Sequence, residues 1–540
     1  MNRFFLYIAI AGSILTLGYL TVVSGFTHEK QIKHWPRDYR HIHLKKARAA
    51  TSGKYQSIIP QSQKMLADYP QDGESLFFLG LAHAQLGNHK DAHKVIERAL
   101  GEGLPPERFL VGPRNWVSNI RKDKAYAEFR KQNGSGLVHG PMLGDIEATS
   151  AKFWMRTAFP KSIEVRVRNG ETMMKGNGKT SVNTDFTTVI TVHKLEPGTN
   201  YSYDVVIDGK SQLKKPWPTF RTAPKKGTAT KLRIGFGGGA AYTPKFAHMW
   251  KTITGRKPDL FFFLGDNVYI DHPTFPDYQR YLYYRRQSQP DFRKLCRDTG
   301  IYAIWDDHDF GTNDCAGGPD LKTPKWKIPV WNVFRQNWPN PYFGGGKEQP
   351  GCWFDFIHGD IHFIFLDGRM YRTPKRKSKG KMPTMLGPAQ LQWLLMTLQN
   401  SKAKFIVIIS PVPWIGGNPD KWTGFPGERE TIFRFIEKHR IEGVLLMSAD
   451  RHRSDLLVTR RKKGYDFYEF MSSRLTNVHT HGRAGPKDGA LKSYNQKCSF
   501  GLVEFDTTKD DPEVMYRVVN IDNEEIYTFR RKRSEMMFTK

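Results

Sequence analysis

Residues 261–271 read FFFLGDNVYID, and the fold turns on this stretch. Five apolar residues, 260–264, run directly into Gly265 and Asp266. That pattern predicts a strand buried on both faces, ending in a tight turn that presents a carboxylate. Asp266, Tyr269 and Asp271 then place three oxygen donors within six residues. Hard cations such as Ca²⁺ or Fe³⁺ prefer such donors. A strand end followed by a helix-capping Asp would look the same in isolation; recurrence of the pattern is what separates the two readings.

Four more segments repeat it. IYAIWDD (301–307) ends in Asp306, Asp307, His308 and Asp309, and FIFLD (363–367) ends in Asp367, followed by Arg369. FIVIIS (405–410) leads to Pro411-Val412-Pro413, and VLLM (444–447) leads to Ser448, Asp450 and His452. Helical spacing separates several of these runs, as in Leu391, Leu394, Leu395 and Leu398, and less fully in Ile432, Phe433 and Ile436. Alternating strands and helices predict a largely parallel sheet covered on both sides. The site of such a sheet lies beyond the carboxyl ends of its strands, where most of these Asp and His residues fall.

The chain has 540 residues and a formal net charge of +30. That length is enough for several domains, and the charge favours anionic partners, although a soluble surface rich in Lys and Arg would have the same balance. A basic run, PKRKSKGK (374–381), follows Asp367 and Arg369 closely and is placed at the mouth of the site. The four cysteines, Cys296, Cys315, Cys352 and Cys498, show no zinc-type spacing and leave one or two disulfides open. No aromatic–basic stacking motif points to nucleic acid, and no specific nucleic-acid partner is expected.

Residues 4–26 carry no charge over 23 positions. The apolar core of a signal peptide spans about 7–15 residues and a membrane helix needs about 20. Residues 1–30 are therefore read as a membrane anchor, with a cleaved signal peptide as the alternative. Either implies an exported, periplasmic or extracytoplasmic protein. Residues 38–133 form a separate helical region in which Gly53 and Gly87, 34 apart, each precede a similar helix. This resembles the tetratricopeptide (TPR) period and predicts a docking element, for the next domain or for a protein partner. Residues 136–224 alternate as strands, and the turn LEPGTNY (195–201) resembles that of fibronectin type III sandwiches. A catalytic domain is placed at 231–530 and a basic tail at 531–540. Its first strand runs into Gly237-Gly238-Gly239, where a backbone can approach a ligand closely.

The motifs LGDNVYID, AIWDDHDFGTND, LDGRMYR, LGPAQLQWLL and VLLMSADRH, in this order, resemble the PhoD-type alkaline phosphatases and phosphodiesterases of the metallophosphatase superfamily. The resemblance covers about residues 136–530. It implies an α/β protein with a four-layer α/β/β/α sandwich, preceded by a β-sandwich domain and, here, the TPR-like region. It also implies Asp266 as the metal-bridging carboxylate and Tyr269 as phenolate ligand to a ferric ion. Asp307 or Asn313 would hold a second metal, Ca²⁺ in the family. His308 would face the leaving group, Asp450 and His452 would complete the cluster, and Arg369 and Arg372 would neutralise phosphate. Two departures stand out: Gly238 and Gly239 occupy the family's Ser-Cys positions, whose Cys ligates iron, and Ala449 replaces the Gly before Asp450. The cofactors implied are Ca²⁺ with Fe³⁺ or a substitute metal. The function implied is an exported phosphoesterase acting on a phosphorylated, anionic substrate by metal-activated water. A catalytically weakened scaffold or binding protein using the helical region is the alternative.

Overall fold

The computed structural model describes residues 35–374, 382–416 and 418–539. The apolar segment 4–26 and residues 375–381 of the basic run lie outside the described residues. Among those described, no helix is long and apolar enough to cross a membrane, and all four cysteines are free thiols.

The stretch Leu260–Leu264 is a strand buried at every position, as its composition predicts. It lies between Lys231–Gly237 and Gly300–Ile304, all three parallel. The later apolar runs do not join this sheet. Ile361–Phe365, Phe405–Ile409, Val444–Ser448 and Phe467–Ser472 form the parallel part of a second, seven-stranded sheet. The single parallel sheet expected from the pattern of strands is thus two sheets, each with antiparallel strands at its flanks. Burial on both faces has two causes here, helices on one side and the other sheet on the opposite side. Rings make the second contact: Phe262 to Phe363 at 5.2 Å between centroids, Tyr302 stacked on Phe356 at 4.2 Å, and Tyr516 on Phe470 at 4.6 Å.

The first sheet also crosses the expected domain boundary. Leu137–Gly144 pairs in parallel with Gly300–Ile304 and carries Ser150–Thr157 and Thr187–His193 at its outer edge. The remaining strands of the β-region form a separate small sheet around Ser162–Asn169 and Asn200–Ile207. The β-region and the strands beyond residue 231 therefore share backbone hydrogen bonds and one hydrophobic core.

The helical region is bound just as tightly. In Gly73–Gln85, ten of thirteen residues are buried. Gly80 brings it against His89–Gly101, since a Cβ there would sit 3.2 Å from Ile96 Cγ1. Its other side packs Phe77 and Phe78 on Tyr281 of Pro276–Gln287. Glu74 is buried there with Arg108, in a two-pronged ion pair, and accepts the Tyr281 hydroxyl at 2.6 Å. Of the two docking targets expected for this region, the next domain and a protein partner, the contacts here are with the next domain. Breaking a buried pair from one side strands a charge, a loss of about 3–5 kcal/mol. Glu74→Ala should therefore lower the chemical-denaturation midpoint clearly, whereas Glu97→Ala on the neighbouring helix, outside this pair, should not; equal midpoints would contradict the tight join.

Candidate functional site

Asp266 follows Gly265 at the carboxyl end of its strand, and both have left-handed backbones, with φ of 54° and 104°. Glycine is required at 265 because a Cβ would lie 2.5 Å from the Cβ of Asp306, at the end of the neighbouring strand. Two strand-end loops thus meet closely, and Asp309 ties them: its carboxylate accepts N–H groups of Asn267 at 3.0 Å, Val268 at 2.9 Å and Asp306 at 3.1 Å. Asp306 and Asp309 also form a reciprocal cap on the short helix Asp307–Phe310. The clamp brings Asp266, Asp307 and His308 together, with one donor atom of each within 4.8 Å of the others.

These side chains line a cavity of about 300 Å³, together with Tyr269, Asn313, Asp450 and His452. Asp266 Oδ2 accepts the Tyr269 hydroxyl at 2.9 Å and lies 3.4 Å from His452 Nε2. Its Oδ1 is buried and has no hydrogen-bond partner among the described residues. A buried, unsatisfied carboxylate oxygen is costly, and a cation would satisfy it. Burial and the adjacent Asp266 push the Tyr269 phenol well up, and Asn477 donates to its oxygen at 2.6 Å. His308 Nδ1 is 2.5 Å from Asp271 Oδ1. Burial alone would lower its pKa, but Asp266, Asp307 and Asp271 outweigh burial and push it up to about 10. Asp307 accepts N–H groups from His308 and Asp314, at 3.0 and 2.7 Å. A larger cleft of about 1180 Å³, lined by residues of the β-region and of the segments after it, holds no comparable cluster of acids and imidazoles.

Arg369 and Arg372 are placed differently from the expectation that they neutralise phosphate. Both are fully buried outside the cavity. Arg369 bonds Asp306 at 2.5 Å and Asp420 at 2.9 Å, and Arg372 bonds Asp420 at 2.5 Å. They balance carboxylates behind the site. Asp420 lies 48 residues beyond Arg372, so this pairing is not readable locally.

The structure adds residues that the motifs did not reveal. Arg40, in the first helix among the described residues, Tyr39–Thr51, lines the cavity, lies 4.2 Å over the Tyr269 ring and 3.6 Å from Asp271. Lys421 is 3% exposed, pairs with Asp450 and lies 3.4 Å from Asp420. Asn477, His479 and His481 come from the loop after Phe467–Ser472. No spacing signal links them to Asp266.

The glycine turn is closed as well as thiol-free. Gly239 has φ 68°, and a Cβ there would meet the Arg474 nitrogen at 2.9 Å and the His452 ring at 3.0 Å. Nor are the N–H groups of Gly239 and Ala240 free for phosphate, since they donate to the carbonyls of Gly265 and Asp266.

Two apposed sheets with acids and imidazoles beyond the ends of their parallel strands define a metallophosphatase-like fold. In structure the chain is similar to PhoD, with a TM-score of 0.58 and 18% identity over 74% of this chain and 92% of that one. It is also similar to purple acid phosphatase PPD1 of yellow lupin (Lupinus luteus) seeds, with a TM-score of 0.54 and 10% identity over 73% of this chain and 74% of that one. The chain belongs to the PhoD-like phosphatase family, whose model matches residues 234–515, a little over half of it. Residues 134–225 match a domain family of unknown function, DUF7800. Alkaline phosphatase D of Bacillus subtilis (strain 168) is 23% identical over 284 residues, which are 43% of this chain and 48% of that protein. The match thus spans about half the length of this curated relative.

Restoring a thiol at the turn should fail. Gly239→Cys is expected to lower the melting temperature and to bring no thiolate-to-iron absorption after iron is added. A stable variant showing that absorption would mean the turn has room for the side chain.

Proposed function

We propose that the chain is an exported, metal-dependent phosphoesterase that hydrolyses phosphate esters. The observation that carries this reading is the buried, unpartnered Oδ1 of Asp266 in a cavity shared with Tyr269, His308 and His452. The donor set fits cations: Asp266, Tyr269 and His452 would hold one, and Asp307, Asn313 and Asp450 a second. Oxygen donors at Asp307, Asn313 and Asp450 suit a hard ion such as Ca²⁺. When bound, the cations would lower the pKa of water and neutralise phosphate oxygens. Membership of the PhoD-like phosphatase family supports the reaction class. The two apposed sheets are read as the inner layers of a four-layer sandwich, and the β-region as the fibronectin III-like module before it. The uncharged residues 4–26 support export.

This chain's own groups take up the rest. His308, which shares the cavity with Asp266 and Asp307, would give a proton to the leaving oxygen. Asp271 fixes its ring through Nδ1. Arg40, over Tyr269 at the cavity wall, supplies a guanidinium that can meet a phosphate oxygen. The role first read for Arg369 and Arg372 passes to it.

Three substitutions separate these roles on a nitrophenyl phosphate ester. Asp266→Asn should remove nearly all turnover and strip bound metal, because an amide is a poor substitute for a carboxylate ligand. His308→Ala should keep the metal while turnover falls roughly 10²–10⁴-fold. Arg40→Ala should keep the metal and raise KM more than it lowers kcat. Full turnover by Asp266→Asn would overturn the proposal.

A further inference from the structure

His452, His479 and His481 offer three ring nitrogens within 4.8 Å of one another. The rings of His479 and His481 have centroids 4.8 Å apart, and each lies within 6 Å of His452, at 5.3 and 5.8 Å. One observation, beyond the spacing itself, points to a ligand. His452 Nδ1 is buried with no hydrogen-bond partner among the described residues, although its Nε2 faces Tyr269 and Asp266. The backbone of His452 is also left-handed, with φ 48°, a conformation that functional sites tolerate at a cost.

The loop that brings in the other two histidines is pinned. Arg474 donates to the carbonyls of Asn477 at 3.1 Å and Asn495 at 2.7 Å. The Asn477 side chain accepts the His479 N–H at 3.0 Å. Thr480, between the two histidines, donates to the His452 carbonyl at 2.8 Å, and Asn495 donates to that of His481 at 3.0 Å. Such outer contacts fix ligand orientation in metal sites.

The same loop rests on the glycine turn. Leu475 and Thr476 donate N–H groups to the carbonyls of Gly238 and Gly239, at 3.0 and 3.2 Å. The absence of a side chain at 239, where a Cβ would meet the Arg474 nitrogen and Ser473 Oγ, lets this loop settle there, which delivers His479 and His481 beside His452. The position without a thiol is therefore the position that lets imidazoles approach.

We propose that His452, His479 and His481 form a nitrogen-donor site for a borderline divalent cation of the zinc, cobalt(II) or nickel(II) class. Neutral imidazole suits these ions, while Ca²⁺ selects oxygen. Ligand nitrogens on one tetrahedral Zn²⁺ lie about 3.4 Å apart, from bonds of about 2.0–2.1 Å. Rotation of the exposed His479 ring would close the set. Three imidazoles also leave a fourth position open on a tetrahedral ion. The identity of the ion depends only on these residues; its use in ester hydrolysis rests on the proposed function.

The test is a Co²⁺ titration of the metal-free full chain, followed by visible absorption and equilibrium dialysis, with ester hydrolysis measured on the same samples. Wild type should bind Co²⁺ with the intense visible bands of a tetrahedral nitrogen site. His479→Ala and His481→Ala should each weaken binding at least about tenfold and lose the bands, with melting temperatures unchanged. His452→Ala should abolish them. Unchanged affinity and spectrum in both loop variants would overturn the proposal, even if metal-dependent hydrolysis is present. Histidine-dependent Co²⁺ binding without hydrolysis would uphold it and count against the phosphoesterase reading instead.

Discussion

The carboxylate of Asp309 accepts backbone N–H groups from Asn267 and Val268 on one strand-end loop and from Asp306 on the next. The constraint is strong because Gly265 and Asp306 already approach too closely for any side chain at 265. Burial and Asp266 push the Asp309 carboxyl up to about 8, against the pull of these N–H groups. The clamp fixes where Asp266 and Asp307 point. Every other feature of the cavity, from the Tyr269 hydroxyl to the Asp271–His308 pair, is arranged around that junction.

Charge balance then separates the supporting part of the site from the open part. Asp306, Asp307, Asp420 and Asp450 are buried or nearly so, and they face Arg369, Arg372 and Lys421, which are buried too. Buried charges persist only when paired, and here four carboxylates meet three fixed cations. Asp266 makes no ion pair with these three cations among the described residues; its carboxylate meets the Tyr269 hydroxyl and His452. The motif LDGRMYR thus supplies ballast for neighbouring carboxylates, while Asp266, whose Oδ1 has no hydrogen-bond partner among the described residues, keeps donor capacity for a cation.

The strands and their terminal acids were legible because an uninterrupted apolar run and a following Gly-Asp are local signals, as at residues 260–266. Which sheet each run joins was not legible: Phe262 and Phe363 read alike, and only their cross-sheet contact assigns them. Pairing of Gly144 with Ile301 was hidden for the same reason. Arg369 and Arg372 were misread because an arginine near acidic motifs looks alike whether it faces phosphate or a buried Asp. Arg40 was missed because its partner Asp271 lies in a different region of the chain. His479 and His481 were missed because their meaning depends on His452 and on a turn more than 200 residues earlier. The glycines at 238 and 239 were noticed, but their consequence, a loop seated on the turn, is a tertiary fact.

The helical region alters the picture most. An element that sequence alone would leave free to meet a partner instead buries Glu74 against Tyr281 and sends Arg40 into the cavity, so the site draws on the helical region as well as on the strand-end loops. The central claim is that this cavity hydrolyses phosphate esters only when its carboxylates hold metal. The most direct measurement is hydrolysis of nitrophenyl phosphate mono- and diesters by the purified chain, before and after chelation and again after divalent metals are returned. The account predicts activity that vanishes with the metal and returns with it, in step with metal content. Hydrolysis that persists in demonstrably metal-free protein, or full metal occupancy with no hydrolysis of either ester, would contradict it.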